Sequence, residues 1–171
     1  MQAMAMPSEE EKGGCASKEC PKGGVVKKSK KKDMEIRLMT SEDYDEVYAL
    51  WYGTQGMRLR SGDDTKEGIT KFLEKNPTSN FVAVENNEIV GVIMCGMDGR
   101  RAYIYHTTVK EPLRGKGIGK ALLNKVYEAI RAAGIRKNGL LVIKDNEIGK
   151  GFWRSQGWEE RHDVLYYSIN M

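Results

Sequence analysis

Residues 114–119, Arg-Gly-Lys-Gly-Ile-Gly, have the composition of a turn that holds phosphate. Three glycines in five positions remove the Cβ atoms that would keep a ligand away from the backbone. An amphipathic pattern begins at Ile118, so the loop amides and the positive end of a helix dipole point at the same place. Arg114, Lys116 and Lys120 add cationic charge there. Two phosphate cradles are excluded. A magnesium-nucleotide loop needs Ser or Thr after Gly-Lys, and Gly119-Lys120 is followed by Ala121. A dinucleotide fingerprint needs G-x-G-x-x-G after the first strand of a βαβ unit, whereas Gly115-Lys-Gly-Ile-Gly119 has another spacing and lies past mid-chain. A plain glycine-rich connection is the alternative.

Groups that could move a proton lie just upstream. Residues 102–109, Ala-Tyr-Ile-Tyr-His-Thr-Thr-Val, read as a strand. Alternation predicts Tyr103, Tyr105 and Thr107 on one face, with Ile104, His106 and Thr108 on the other. Imidazole has the intrinsic pKa nearest neutrality, but the parity turns His106 toward the core. Glu111 and Glu85 are the nearby acids. Of the three cysteines, Cys15 and Cys20 have neither C-x-x-C spacing nor neighbouring ligands, and Cys95 sits in an apolar run. This predicts no metal site and an inert core thiol.

A second motif follows the first at a distance: Asn146-x-x-Gly149-x-x-Phe152-Trp153-x-x-x-Gly157-Trp158. With Arg114-x-x-Gly117-x-Gly119, it resembles the paired signatures of the GCN5-related N-acetyltransferases, over about residues 34–170. The resemblance implies direct acetyl transfer from acetyl-CoA to an amine acceptor. The loop Arg114, Gly115, Lys116, Gly117, Ile118, Gly119 and Lys120 would hold the cosubstrate's pyrophosphate. The backbone around Thr108 and Val109 would meet the pantetheine amides and donate to the thioester oxygen, and Asn146 would touch the same arm. Trp153 stands where many relatives carry a tyrosine that protonates the leaving thiolate. An indole is no acid, so Trp153 is expected to pack in the core or against the cosubstrate's arm. The order of preference for the base is Tyr105 through a water, then His106, then Glu111.

The elements that must position these groups form a mixed α/β chain in the order βααβββαβαβ. Strands are expected at 35–39, 81–85, 88–97 and 102–109, with later ones at 140–144 and 164–169. A turn at Asn86-Asn87 makes a hairpin of the second and third. Thr40-Ser-Glu-Asp43 looks like a capping box, opening a helix with Tyr44, Val47, Tyr48 and Trp51 on its apolar face. Asp63 and Asp64 favour the start of a second helix, which ends before Pro77. Ile118, Ala121, Leu122, Val126, Ala129, Ile130 and Ala133 form a third helix's buried stripe, and Gly134 ends it. The resemblance implies that the central strands splay to admit the pantetheine arm.

At 171 residues the chain is one domain's worth, with a net charge of +4. Residues 1–33 hold eight lysines and five acids, so +3 of that charge falls in a basic low-complexity tail expected to be disordered. Residues 34–171 are nearly neutral, which argues against nucleic-acid binding by the core. No apolar run approaches the ~20 residues that span a bilayer, and a cytoplasmic location is the default. Acceptor choice falls to residues 53–62, with Arg58 and Arg60, and to 158–167. A small amine is the first reading. A protein N-terminus or lysine is the second, and a non-catalytic acyl-CoA sensor the third. Monomer and homodimer both stay open.

Overall fold

The computed structural model describes residues 34–59 and 62–169. The basic tail, Cys15, Cys20 and Arg60 lie outside the described residues. Five strands form one sheet in the order β1-β2-β3-β4-β5. They are β1 Met34–Leu38, β2 Phe81–Glu85, β3 Glu88–Met97, β4 Ala102–Val109 and β5 Asn138–Leu140. The first three junctions are antiparallel, and β4–β5 is parallel. Asn86 and Asn87 make the β2–β3 turn with φ of 55° and 62°, the left-handed values that suit asparagine.

Helices cover both faces. On one lie α1 (Tyr44–Tyr52) and α2 (Lys66–Lys75), on the other α3 (Ile118–Ala132) and α4 (Glu147–Ser155). Successive β3 residues feed the two layers. Val92 and Met94 join Val47, Trp51, Ile69 and Leu73, while Ile93 and Cys95 join Leu122, Val126 and Ile130. Of the predicted stripe on α3, Ile118, Leu122, Val126 and Ile130 are buried together with Leu123; Ala121 and Ala129 are half-buried, and Ala133 lies exposed at the helix end.

The start of α1 follows the expected box, with Thr40 N–H donating to the Asp43 carboxylate at 2.8 Å, after which residues 41–43 make one 3-10 turn. The start of α2 differs. Thr65 is its cap and accepts from Gly68 N–H at 3.1 Å, which leaves Asp64 out of the helix.

Two strand expectations are corrected. The fifth strand is Asn138–Leu140 rather than 140–144, because β5 pairs only where β4 still lies alongside. The segment 164–169 forms no strand and is exposed throughout. Its residues favour β structure, but a strand requires a ladder partner as well as propensity.

Candidate active site

The parting of β4 from β5 creates the site. Ala102, Tyr103 and Ile104 pair with Asn138, Gly139 and Leu140, and the ladder stops there. From Tyr105 to Val109, β4 runs on without β5, which gives the expected splay. Opposite, on the β3 side, Met94 pairs with Tyr105 and Val92 with Thr108. Two residues of β4, His106 and Thr107, therefore oppose Ile93 alone. This is a β-bulge, which bends the strand and leaves the extra residue out of the ladder. His106 takes a φ of +41°, an unusual value for a non-glycine residue and a mark of local strain.

The bulge overturns the alternation expected from sequence. Tyr105 packs edge-on against Phe72 of α2, with centroids 5.7 Å apart. His106 should face the other way, yet its ring lies 4.7 Å from that of Trp51 in α1. Both thus belong to the α1/α2 face. His106 Nε2 lies 2.6 Å from Asp64 Oδ1, and Asp64 is only 6% exposed. Nothing local in the sequence announces this pair. The one available sign is that Thr65, the adjacent capping residue, makes Asp64 unnecessary as a cap.

Beyond β4 the chain makes a 3-10 turn at 111–113 and enters the glycine loop. Gly115 and Gly117 have φ of 76° and 86°. A Cβ on either would meet nothing within 4 Å, so conformation and not crowding selects glycine there. Gly117 is the N-cap of α3, and no side chain caps the helix. Its first helical bond runs from Ala121 N–H to Gly117 O, so the amides of Ile118, Gly119 and Lys120 precede the ladder. No acid occupies that first turn. Arg114 Nε donates to Val109 O at 3.1 Å, tying the loop to the end of β4. Lys116 and Lys120 are exposed, and Ile118 is buried in the core. Gly119 has a different constraint, because a Cβ there would come 3.1 Å from Phe152 Cε2 of α4.

Asn146 caps α4, its Oδ1 accepting from Gly149 N–H at 2.8 Å. That oxygen is committed, and Nδ2 is the atom left to donate. Trp153, 9% exposed, belongs to the core. It stacks edge-on with Phe152 and Trp158 at 5.0 and 5.3 Å. Thr108 is buried beside the bulge, and the hydroxyls of Thr107 and Thr108 have no hydrogen-bond partner. Glu111 lies past the end of β4, in the 3-10 turn at 111–113. It lines an open cavity of about 450 Å³ with Glu46, Glu88, Lys110 and Arg114.

Burial pushes the Tyr105 phenol above its ordinary pKa, with Tyr103, Cys95 and Tyr166 adding to the effect. The phenol therefore keeps its proton at neutral pH and donates. Cys95, also pushed up by burial, reaches about 12, which excludes it as a thiolate nucleophile near neutrality.

The acetyltransferase (GNAT) family model matches residues 40–158, spanning the site and most of the chain. The chain belongs to the GNAT acetyltransferase family. Solved structures share the GNAT fold at low identity. The PaiA N-acetyltransferase of Thermoplasma acidophilum, in complex with coenzyme A, has a TM-score of 0.68 at 19% identity, covering 77% of this chain and 93% of that one. Aminoglycoside N-acetyltransferase AAC(6')-Iy, in complex with CoA, gives 0.65 at 18%, over 86% and 100%. Ard1 from Thermoplasma volcanium gives 0.65 at 23%, over 72% and 81%. Among the described residues, no helix is long and apolar enough to cross a membrane.

Proposed function

We propose that this protein moves the acetyl group of acetyl-CoA directly to a primary amine of a small molecule. The observation that carries the reading is the alignment of bulge and cradle. The strand that leaves β5 after Ile104 is distorted at His106–Thr107, and Arg114 ties its end to the glycine loop. A phosphate group fits that loop, since α3 begins without a side-chain cap or an acid. Arg114, Lys116 and Lys120 would hold the pyrophosphate with the Gly115–Gly119 backbone. Bound acetyl-CoA supplies the activated thioester.

The chain's own residues do the rest. The β4 backbone near Thr108 and Val109 lines the gap left by β5, where amides outside the ladder can meet polar groups of an extended arm and the thioester oxygen. Asn146 Nδ2 donates from the other side of the gap. Trp153 holds α4 in place and moves no proton. Tyr105, about 45% exposed, donates to an acceptor or to a water beside it. With Tyr103 it gives the acceptor face an aromatic surface that suits a cationic amine before deprotonation. Two structural neighbours are aminoglycoside acetyltransferases, and their polyamine sugars are in keeping with a small-amine acceptor.

The test is calorimetric titration of acetyl-CoA into the intact chain and a Gly117→Glu variant, followed by free-thiol release with a panel of small amines and peptides. Binding that the variant abolishes, with turnover of small amines, is the expected result. An intact chain that binds no acetyl-CoA overturns the reading, and preferential turnover of peptides overturns the acceptor class.

A further inference from the structure

The bulge in β4 changes which side chains meet. It carries His106 round to the face of Tyr105 and against a carboxylate 42 positions earlier in the chain. Three constraints hold the imidazole: the left-handed backbone at φ +41°, the Trp51 ring at 4.7 Å, and Asp64 Oδ1 at 2.6 Å. Backbone strain of this kind persists only where the surroundings over-determine it. Asp64 is itself fixed, since its backbone carbonyl accepts from Tyr44 Oη at 2.7 Å. An ionised carboxylate can only accept hydrogen bonds. Nε2 therefore carries the hydrogen, and in the neutral ring Nδ1 keeps the lone pair. The His106 side chain remains 21% exposed while that of Asp64 is 7% exposed, so the ring can be reached and the carboxylate behind it is shielded.

We propose that His106 and Asp64 form the dyad that takes the proton from the acceptor amine. His106 is the base, and Asp64 is its positioning residue. The inference rests on the acetyl-transfer reading and names the group which that reading leaves open. The amine lone pair forms the C–N bond to the thioester carbon, and the C–S bond breaks to release the thiolate. The proton on the attacking nitrogen passes to His106 Nδ1. Asp64 stays ionised, fixes the tautomer and stabilises the imidazolium. Tyr105, its phenol held protonated, serves beside the dyad as a donor. Glu111 takes no part in this step.

The experiment uses the full chain with whichever amine it acetylates best. Asp64→Asn, His106→Gln and the double variant are compared for kcat, acetyl-CoA KM and acetyl-CoA affinity. Ring 15N NMR reads the His106 tautomer at a pH where the ring is neutral. In His106→Gln, kcat is expected to fall roughly 100-fold, within the span of lost general-base catalysis. In Asp64→Asn it falls at least about tenfold, because the wrong tautomer is then favoured. Acetyl-CoA affinity should hold within about twofold, since neither side chain lies on the loop. The double variant should be no worse than His106→Gln, because the pair acts as one unit. The NMR of the intact chain should show hydrogen on Nε2, with the tautomer population shifted in Asp64→Asn.

Wild-type kcat in Asp64→Asn, or losses that multiply in the double variant, overturns the dyad. If a variant fails to fold, the intact chain decides, because a hydrogen on Nδ1 overturns the proposal by itself. An intact chain that acetylates no amine removes the acetyl-transfer reading and the dyad together. An active chain with active variants removes only the dyad.

Discussion

Gly119 of α3 faces Phe152 of α4 so closely that an added Cβ would lie 3.1 Å from the ring's Cε2. The last glycine of the loop signature is therefore a contact between two helices as well as part of the proposed cradle. It lets α4 settle onto the start of α3, which in turn seats Trp153 between Phe152 and Trp158. The two signature motifs of the chain touch at this point.

Replacing Gly119 with valine should overpack that junction at a cost of about 1–3 kcal/mol. Thermal melting should show a fall of several degrees. A Gly115→Ala change, at a position with open space but a φ of 76°, should cost about 1–2 kcal/mol through backbone strain alone. If Gly119→Val melts like the parent, the contact between α3 and α4 is looser than the structure gives.

Asn80, 1% exposed, fastens the chain after α2 to β3. Its Oδ1 accepts from Cys95 N–H at 2.9 Å, and its Nδ2 donates to Asn76 O at 2.6 Å. Asn80→Ala would orphan both buried backbone groups, each worth about 1–3 kcal/mol. Urea unfolding should show a loss of about 2–4 kcal/mol, with acetyl-CoA affinity of the folded fraction unchanged.

Asp43 receives two hydrogen bonds from Arg37, at 2.8 and 2.7 Å. Burial acts to raise its pKa, but the Arg37 hydrogen bonds and the Thr40 amide outweigh it and hold the carboxyl below the usual range. A depressed folded-state pKa stabilises the protein above the unfolded value, about 3.9. That stability is lost as pH falls through the lower, folded-state value. Asp43→Asn should therefore lower stability at neutral pH and flatten the acid side of the stability profile below about pH 4. The Arg37 side chain is 39% exposed, so solvent screening should keep the effect modest. Denaturation midpoints from pH 2 to pH 7 check both parts.

Cys95 is fully buried, with its pKa pushed up to about 12. In the folded protein at pH 8 it should resist alkylation, and it should react promptly in denaturant. Peptide mapping separates it from Cys15 and Cys20. Rapid native-state labelling would show that β3 opens far more readily than its packing implies.

Much of this protein was legible in its sequence because the relevant signals are local. Loop glycines and an apolar stripe lie within residues 114–133, and together they mark the start of α3 at Ile118 behind a glycine cap. The Thr40–Asp43 box, the Asn86-Asn87 turn and the core character of Cys95 likewise depend on near neighbours. Tertiary structure decided the rest. Strand parity placed His106 opposite Tyr105, but pairing with β3 required one extra residue, and the bulge reversed the face. Asp64 looked like a helix start until Thr65 took the cap and the fold brought His106 to its carboxylate. The fifth strand ended at Leu140 and residues 164–169 formed none, because a ladder depends on where its partner strand lies. Propensity and capping act over a few residues, whereas bulges, buried pairs and strand ends are set by contacts between segments far apart in the chain.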